Sequence, residues 1–399
     1  MNPLIRKLAL LWGLGLLPCL LGAQSLSDSL DFSTPAQKAF TVSGYLKDLQ
    51  AIQILGRQEP WILTNLVHNR LDFHYYADSS WKFHLGIRNR LYYGDTTAIA
   101  LVGPSLQDGG DQLVKLSHTF TKGPSYLLNS TIDRASVDYT RGKWEVTAGR
   151  QRINWGVNLV WNPNDIFNAY SYFDFDYEER PGSDALRLQY YASSTNSAEI
   201  AYKPSVGRQG ATLAGLYRFT RGGYDFQVLA GWMKTDYVLG GGWSGALGKA
   251  GFNGELTTFM PKKSSALDPF AVAASVGVNY TFSSSLYLHG AYLLNSAGAT
   301  HSDSTQPNLL LATVSAKNLS AARHSIFLEG AYQFSPLLRG DLAAIIEPAD
   351  GSVFAGPFLT LSLTNTLEML AGGQLFFGNK TSLYGNYGQA IYLRLKWSF

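Results

Sequence analysis

Residues 390–399 alternate without a break: Ile391, Leu393, Leu395, Trp397 and Phe399 form one row, and Ala390, Tyr392, Arg394, Lys396 and Ser398 the other. A period of two puts these rows on opposite faces of a strand. One face is apolar and ends on an aromatic residue; the other is polar and basic. A strand of a soluble sandwich can alternate in this way but rarely stands at the extreme C-terminus. A sheet closed on itself requires it, because the last strand seals against the first and its outward row must be continuous.

The same period recurs upstream. Trp81, Phe83, Leu85, Ile87, Asn89, Leu91 and Tyr93 stand opposite Lys82, His84, Gly86, Arg88, Arg90 and Tyr92. Tyr224, Phe226, Val228, Ala230 and Trp232 oppose Asp225, Gln227, Leu229, Gly231 and Met233. Val272–Phe282, Ile326–Phe334 and Leu338–Ile346 read alike. None of these apolar rows carries a charge, as a lipid-facing surface demands, since a mid-plane Arg or Lys costs ~2–4 kcal/mol there. Counted back from the C-terminus, short turns are expected at Ala77–Ser80, Thr140–Lys143, Ala192–Ser197, Thr220–Gly223, Gly248–Gly251, Ser283–Ser285, Ser335–Pro336 and Thr364–Thr366. Longer connections fall between them, the largest being Asp95–Ser125, Asn154–Ser183 and Gly298–Ala322. That parity gives eighteen strands starting near Thr41–Leu49. Aromatic residues gather beside the short turns, as in the girdle of a membrane barrel. The expected fold is all-β: a transmembrane antiparallel β-barrel of about eighteen strands with an inserted constriction loop.

Residues 1–23 read as a signal peptide, with Arg6 and Lys7 before the apolar run Leu8–Leu17 and cleavage after Ala23. That run is too short to span a bilayer. Residues 24–40 read as a periplasmic tail and 41–399 as the barrel. Cleavage would remove Cys19, the only cysteine, so neither a disulfide framework nor a thiolate metal site is expected. It would leave 30 basic and 29 acidic side chains, a formal charge of +1, which argues against a nucleic-acid partner.

The densest unusual stretch is Gly149-Arg150-Gln151-Arg152-Ile153-Asn154-Trp155-Gly156, then Trp161-Asn162-Pro163-Asn164-Asp165-Ile166-Phe167, then Glu178-Glu179-Arg180-Pro181-Gly182-Ser183-Asp184-Ala185-Leu186-Arg187. It resembles the Gly-Arg-Gln, Trp-Gly, Asn-Pro-x-Asp and Arg-Pro-Gly-x-Asp-Ala-Leu pattern of porin-like outer-membrane barrels related to the alginate-export and selective-porin families. The resemblance covers about forty residues. It implies an outer-membrane channel of a Gram-negative bacterium that passes small hydrophilic solutes without a cofactor. The C-terminal strand, through Trp397 and Phe399, likewise resembles the signal read by the barrel-assembly machinery.

A loop of about thirty residues in a compact barrel is usually functional. Trp155, Trp161, Phe167, Tyr170, Tyr172, Phe173 and Phe175 are too many aromatics for a solvated loop, so this one is expected to fold into the lumen. Asp165, Asp174, Asp176, Glu178 and Glu179 would then face a basic wall of Arg70, Arg88, Arg90 and Arg187, with Arg150, Arg152, Arg180 and Asp184 at the loop's ends and His68, His74 and His84 nearby. Opposed charges across a constriction orient solutes and set ion selectivity. An alternative is that Arg150, Asp165, Arg180 and Asp184 form a buried ion-pair lattice that holds the loop. Arg150 stands in the apolar row of Trp144, Val146 and Ala148, so either the strand ends there or a bulge turns the residue inward. Two rival functions are a non-transporting barrel that serves a surface-polymer or secretion system, and a lipid or peptide hydrolase. No nucleophile elbow, metal-spaced histidine pair or phosphate loop supports an enzyme or a metal site. Membrane lipid and a small solute are the partners this reading implies, and it leaves the oligomeric state open.

Overall fold

The computed structural model describes residues 38–55, 60–97, 99, 112–173, 179, 182–206, 210–263, 269–299 and 314–399. The expected leader and nearly all of the expected tail lie outside the described residues. Ala39–Phe399 forms one compact unit. Its strands are β1 (Phe40–Ile54), β2 (Ile62–Tyr76), β3 (Trp81–Gly94), β4 (Ser117–Lys122), β5 (Tyr126–Arg141), β6 (Trp144–Gln151), β7 (Ser183–Tyr191), β8 (Ser197–Lys203) and β9 (Thr212–Arg221). They continue as β10 (Tyr224–Met233), β11 (Asp236–Leu247), β12 (Ala250–Pro261), β13 (Ala271–Thr281), β14 (Leu286–Asn295), β15 (His324–Ser335), β16 (Leu338–Ile346), β17 (Val353–Ser362), β18 (Leu367–Phe377) and β19 (Gln389–Ser398).

Of these nineteen strands, eighteen pair antiparallel in a closed ring; β3 pairs directly with β5, β19 returns to β1, and β4 takes no part in closure. Closure pairs each ring strand with two neighbours, as an apolar surrounding requires, except that β6 stops short of Leu127–Thr131 of β5, which β4 covers. The seam runs from Tyr45 opposite Ser398 to Ile54 opposite Gln389. Below it the Gly44 amide donates to the Phe399 carbonyl at 2.9 Å, and the Phe399 amide returns a bond to Gly44 at 3.0 Å. The C-terminal residue is therefore part of the closing ladder.

The alternation seen in the sequence maps onto the two faces of the wall. Ile391, Leu393, Leu395, Trp397 and Phe399 are each 43–50% exposed on the outside, whereas Arg394 is buried within. Aromatic pairs mark the end of the barrel that carries the short turns. Trp81 lies 4.6 Å from Tyr139, Trp144 4.6 Å from Tyr190, and Trp397 5.1 Å from Phe399. All eight expected short turns occur at the expected places.

Two connections and one ladder depart from the simple pattern. At the opposite end, β10 and β11 are joined by only Lys234 and Thr235, with Lys234 at φ 55°; a left-handed residue closes this hairpin although no Gly or Asn announces it. The Asp95–Ser125 connection contains a strand of its own, β4, which pairs with the half of β5 that β6 does not reach. The β3–β5 ladder slips by one residue between Gly86 and Ile87, and this bulge turns both Asp133 and Arg134 into the interior.

The reciprocal bonds at Gly44 make a simple prediction. Deleting Phe399 removes both and opens the end of the seam, so the fraction of chain recovered from membranes as folded, heat-modifiable barrel should fall several-fold. An unchanged folded fraction would contradict this reading of the seam.

Candidate functional site

β6 has eight residues where its neighbour β5 has sixteen, so beyond Gln151 the chain leaves the wall. Gly149, at φ 113°, allows the departure in a backbone region that side-chain-bearing residues avoid. Residues 152–173 then run along the inner face of the barrel. Ile153 and Trp155 are fully buried, against inward residues that include Ala201 of β8, Leu229 of β10, Phe259 of β12 and Ala273 of β13. Further on, Trp161 packs on Phe327 of β15 at 6.2 Å, Tyr172 on the same ring at 5.1 Å, and Phe173 on Phe354 of β17 at 5.0 Å. Burying one such aromatic of ~200 Å² contributes up to ~5 kcal/mol at ~25 cal/mol per Å². The aromatic density of this segment is thus what holds it inside.

An inserted segment brings backbone amides into a dry interior, and each needs an acceptor. The Glu255 carboxylate of β12 accepts three of them, from Val157, from Asn158 at 2.9 Å and from Asn164 at 2.8 Å. Glu199 of β8 accepts the Trp155 indole N–H at 2.6 Å and a two-pronged bond from Arg187 at 2.7 and 2.9 Å. Gln227 of β10 donates to the Trp155 carbonyl at 2.6 Å, and Gln374 of β18 to the Phe173 carbonyl at 2.7 Å. The Trp-Gly and Asn-Pro-Asn-Asp elements belong together. Gly156 lies under Asn162, where an added Cβ would sit 2.2 Å from its Oδ1. The turn at Asn162–Asp165 presents the Asn164 amide to Glu255.

The segment covers β8 to β18 and leaves the other sector to a cluster of basic groups. In cross-strand register, Lys396, Lys47, His68 and Arg90 form one inward row, and Tyr45, Arg70 and Arg88 the next. The ammonium groups of Lys47 and Lys396 each lie 5.1 Å from the Tyr45 ring. Arg70 pairs with Asp72 and with Asp133 of the β5 bulge, both at 2.5 Å. Arg90 donates to Asn129 at 2.9 Å and Thr131 at 3.0 Å, and Arg394 to Glu368 at 2.6 Å. His74 stacks on His84 at 4.2 Å, and His84 contacts Asp72 at 3.1 Å. Among the described residues no group of three or more His, Cys, Asp or Glu is placed to hold a metal ion.

The residues singled out in the sequence therefore separate. Arg70, Arg88 and Arg90 come together in the basic sector, while Arg187 stands apart on β7, bound to Glu199. Arg150 belongs to the outward parity of β6, yet is 4% exposed. It grips Asp184 of β7 at 2.7 and 2.9 Å and also donates to the Ile132 and Val114 carbonyls. Asp184 in turn accepts the Val114 amide at 2.9 Å, so the pair clasps the segment leading to β4. Arg152 is half-buried just beyond β6, and Asp165 is buried within the inserted segment. Glu179 approaches Arg134 at 3.4 Å and keeps 42% side-chain exposure. Asp174, Asp176, Glu178 and Arg180 lie outside the described residues. The sequence reading missed Lys47, Asp133, Glu199 and Glu255. Inward parity on β1, β8 and β12 marks three of these; Asp133 depends on a bulge that parity does not reveal.

A second inward fold meets the first. Tyr384, in the β18–β19 connection, is 1% exposed and lies 6.0 Å from Phe173. Its hydroxyl donates to Glu347 at 3.0 Å, as does Ser325 at 2.8 Å; Asp350 accepts the Leu383 amide at 2.7 Å. Burial pushes the Glu347 carboxyl up to about 8, Asp350 adding to the rise against the two hydroxyl bonds.

The closed antiparallel ring with an enclosed, wall-hugging segment is the architecture of porin-like barrels. No protein-family model matches the chain, and no curated protein matches its sequence. Among solved structures, Acinetobacter baumannii OccAB3 is similar with a TM-score of 0.58 at 10% identity, over 90% of this chain and 99% of that one. A BenF-like porin from Pseudomonas fluorescens Pf-5 is similar with a TM-score of 0.58 at 10% identity, over 91% and 99%. Acinetobacter baumannii OccAB4 gives 0.57 at 9% identity, over 92% and 100%. At such identities the likeness establishes the fold.

Two predictions follow from these contacts. Replacing Glu255 by Leu strips three buried amides of their acceptor, at ~1–3 kcal/mol each; limited proteolysis of the folded barrel should then cut within residues 152–173 at least tenfold faster. Equal cleavage rates would show that the carboxylate does not hold the segment. For Glu347, the folded-state pKa lies above the ordinary carboxylate value of about 4.3. Its contribution to docking is complete below that value and is lost as pH rises through about 8. Hydrogen-exchange protection of residues 378–388 should fall across that interval, and Glu347→Gln should flatten the profile. A wild-type profile as flat as the variant's would contradict the assignment.

Proposed function

We propose that this chain is an outer-membrane channel of a Gram-negative bacterium, exported behind residues 1–23, that passes small hydrophilic solutes passively and favours anions. The observation that carries the reading is the inward basic cluster on β19, β1, β2, β3 and β5, in the sector that residues 152–173 leave uncovered. Seven cations, Lys47, Arg70, Arg88, Arg90, Arg134, Arg394 and Lys396, stand there with Asp72, Asp133, Glu179 and Glu368 as the neighbouring carboxylates. Across the lumen, Glu199 and Glu255 are engaged by Arg187 and by the inserted segment, so they give little opposing field. A net positive wall in a low-dielectric enclosure raises the local concentration of anions and lowers that of cations.

The apolar exterior and the aromatic residues at the turn end support a place in a bilayer, crossed by strands. The motif from Gly149 to Leu186 supports kinship with the alginate-export and selective-porin barrels, its Trp-Gly and Asn-Pro-Asn-Asp elements forming the anchored part of the inserted segment. Assembly through the barrel-assembly machinery is inferred from the terminal Trp397 and Phe399.

The reversal potential across a potassium chloride gradient in a planar bilayer tests the proposal. The wild-type channel should favour chloride, and the double substitution Arg90→Glu with Lys396→Glu should move the permeability ratio several-fold toward potassium. A cation-selective wild type, or a double variant with the wild-type ratio, would overturn it.

A further inference from the structure

At the end of the barrel that carries the short turns, the two halves of the rim differ in charge. On one half Arg141 and Arg221 are the last residues of β5 and β9, and Lys143 and Lys249 stand in the turns after β5 and β11. All four are exposed. On the other half the turns at 283–285, 335–337 and 363–366 carry no charged residue. The β2–β3 turn has Asp78, whose carboxylate already accepts the Ser80 and Trp81 amides at 2.7 and 2.9 Å.

The protein itself does not neutralise these cations. Among the described residues the four make no ion pair. Lys143 alone uses its side chain, donating from Nζ to the Ala192 carbonyl at 2.7 Å, which lays it across the β7–β8 turn. No carboxylate stands in the turns that join β5 to β6, β7 to β8, β9 to β10 or β11 to β12. The two arginines also close outward rows rich in aromatic rings. Arg141 follows Tyr139, which faces Trp81, and stands opposite Trp144. Arg221 follows Tyr217 and Phe219 in its row and stands opposite Tyr224. Trp144 and Leu247, the latter two residues before Lys249, are both exposed.

A guanidinium at the end of a lipid-facing row extends along its own stem to the level of the headgroups. Phosphodiester oxygens lie there, and a planar guanidinium binds such oxygens in pairs. A soluble partner would reach the turns but not the outward rows, whose rings lie among acyl chains. The occupant that fits is therefore anionic at one end and apolar at the other. We propose that the rim from β5 to β12 is a binding sector for anionic glycerophospholipids of the leaflet at the short-turn end, with Arg141, Lys143, Arg221 and Lys249 holding their phosphodiester groups. Successive turns on this rim are two strands, roughly 10 Å, apart at ~4.8 Å per strand, which sets neighbouring headgroups side by side. A zwitterionic lipid brings its own ammonium to the same place, so a rim with cations and no carboxylates favours a lipid of net negative charge. This inference rests on the reading of the exterior as lipid-facing, but not on what the lumen passes.

Photocross-linking in nanodiscs tests it, using phosphatidylglycerol with a photoreactive group near its phosphate in a phosphatidylcholine bilayer. Adducts mapped by mass spectrometry should fall several-fold more often at 141–144, 192–196, 221–224 and 247–250 than at 283–285, 335–337 and 363–366. A matching phosphatidylcholine probe should show no such contrast. The quadruple substitution Arg141→Gln, Lys143→Gln, Arg221→Gln, Lys249→Gln should keep the heat-modifiable barrel and lower the phosphatidylglycerol yield to that of phosphatidylcholine. The wild-type map decides the matter even if that variant does not fold. Adducts spread evenly over both halves, equal yields from the two probes, or a folded variant with the wild-type preference would each overturn the proposal. Loss of the adducts to inorganic phosphate at matched concentration would assign the cations to a free anion and overturn it as well. Failure to enter any nanodisc would overturn the membrane reading together with this inference, whereas insertion without preference overturns this inference alone.

Discussion

Every backbone N–H and C=O in the wall must find a partner within the wall, and this one requirement organises the molecule. It explains why the strands close, why the terminal Phe399 bonds back to Gly44, and why an alternation visible in the sequence persists from β1 to β19. It also governs the exception. Where β6 leaves the ring after Gln151, β4 lies along the vacated half of β5, and the departing segment takes its acceptors from carboxylates of the opposite wall. The inserted segment is therefore held by wall residues chosen for its amides, in addition to aromatic packing.

This divides the lumen into two sectors with different roles. From β8 to β18 many inward residues are small, aromatic or engaged with residues 152–173, while His289 with Glu329 and Arg339 with Asp341 pair among themselves. From β19 through β1, β2, β3 and β5 they are cationic and held by one another's counter-ions: Arg70 by Asp72 and Asp133, Arg394 by Glu368. Pairing fixes the guanidinium groups in place without cancelling the surplus of positive charge. In the channel proposed above, a solute would meet a fixed basic surface on one side and a packed loop on the other.

Much of this was legible in the sequence because a period of two assigns each residue a face. The rows of β3, β10 and β19 placed Arg88, Arg90, Arg394 and Lys396 inside before any coordinates. The aromatic density after Asn154 announced that the loop turns inward. The rest depended on contacts between strands distant in sequence. Glu199 and Glu255 look like ordinary inward carboxylates until the loop amides arrive at them. Asp133 enters the interior only through a one-residue slip in the β3–β5 ladder, which no local pattern displays. Arg150 shows the same limit from the other side. Its parity is outward, and its burial comes from a segment about 36 residues away in the chain, near Val114. The acidic residues of the loop were expected to face the basic wall; of those described, Asp165 is buried in the segment and Glu179 joins Arg134.

The central claim of the proposed function is that solutes pass along the basic sector and that the sector under residues 152–173 is sealed. Cysteine accessibility within a conducting channel tests this most directly, with a negatively charged, water-soluble thiol reagent applied to Arg90→Cys and to Ala273→Cys, whose native side chain is fully buried under the inserted segment. The account predicts rapid modification and a stepwise fall in conductance at position 90, and neither at position 273. Modification and block at position 273 with no effect at position 90 would contradict it.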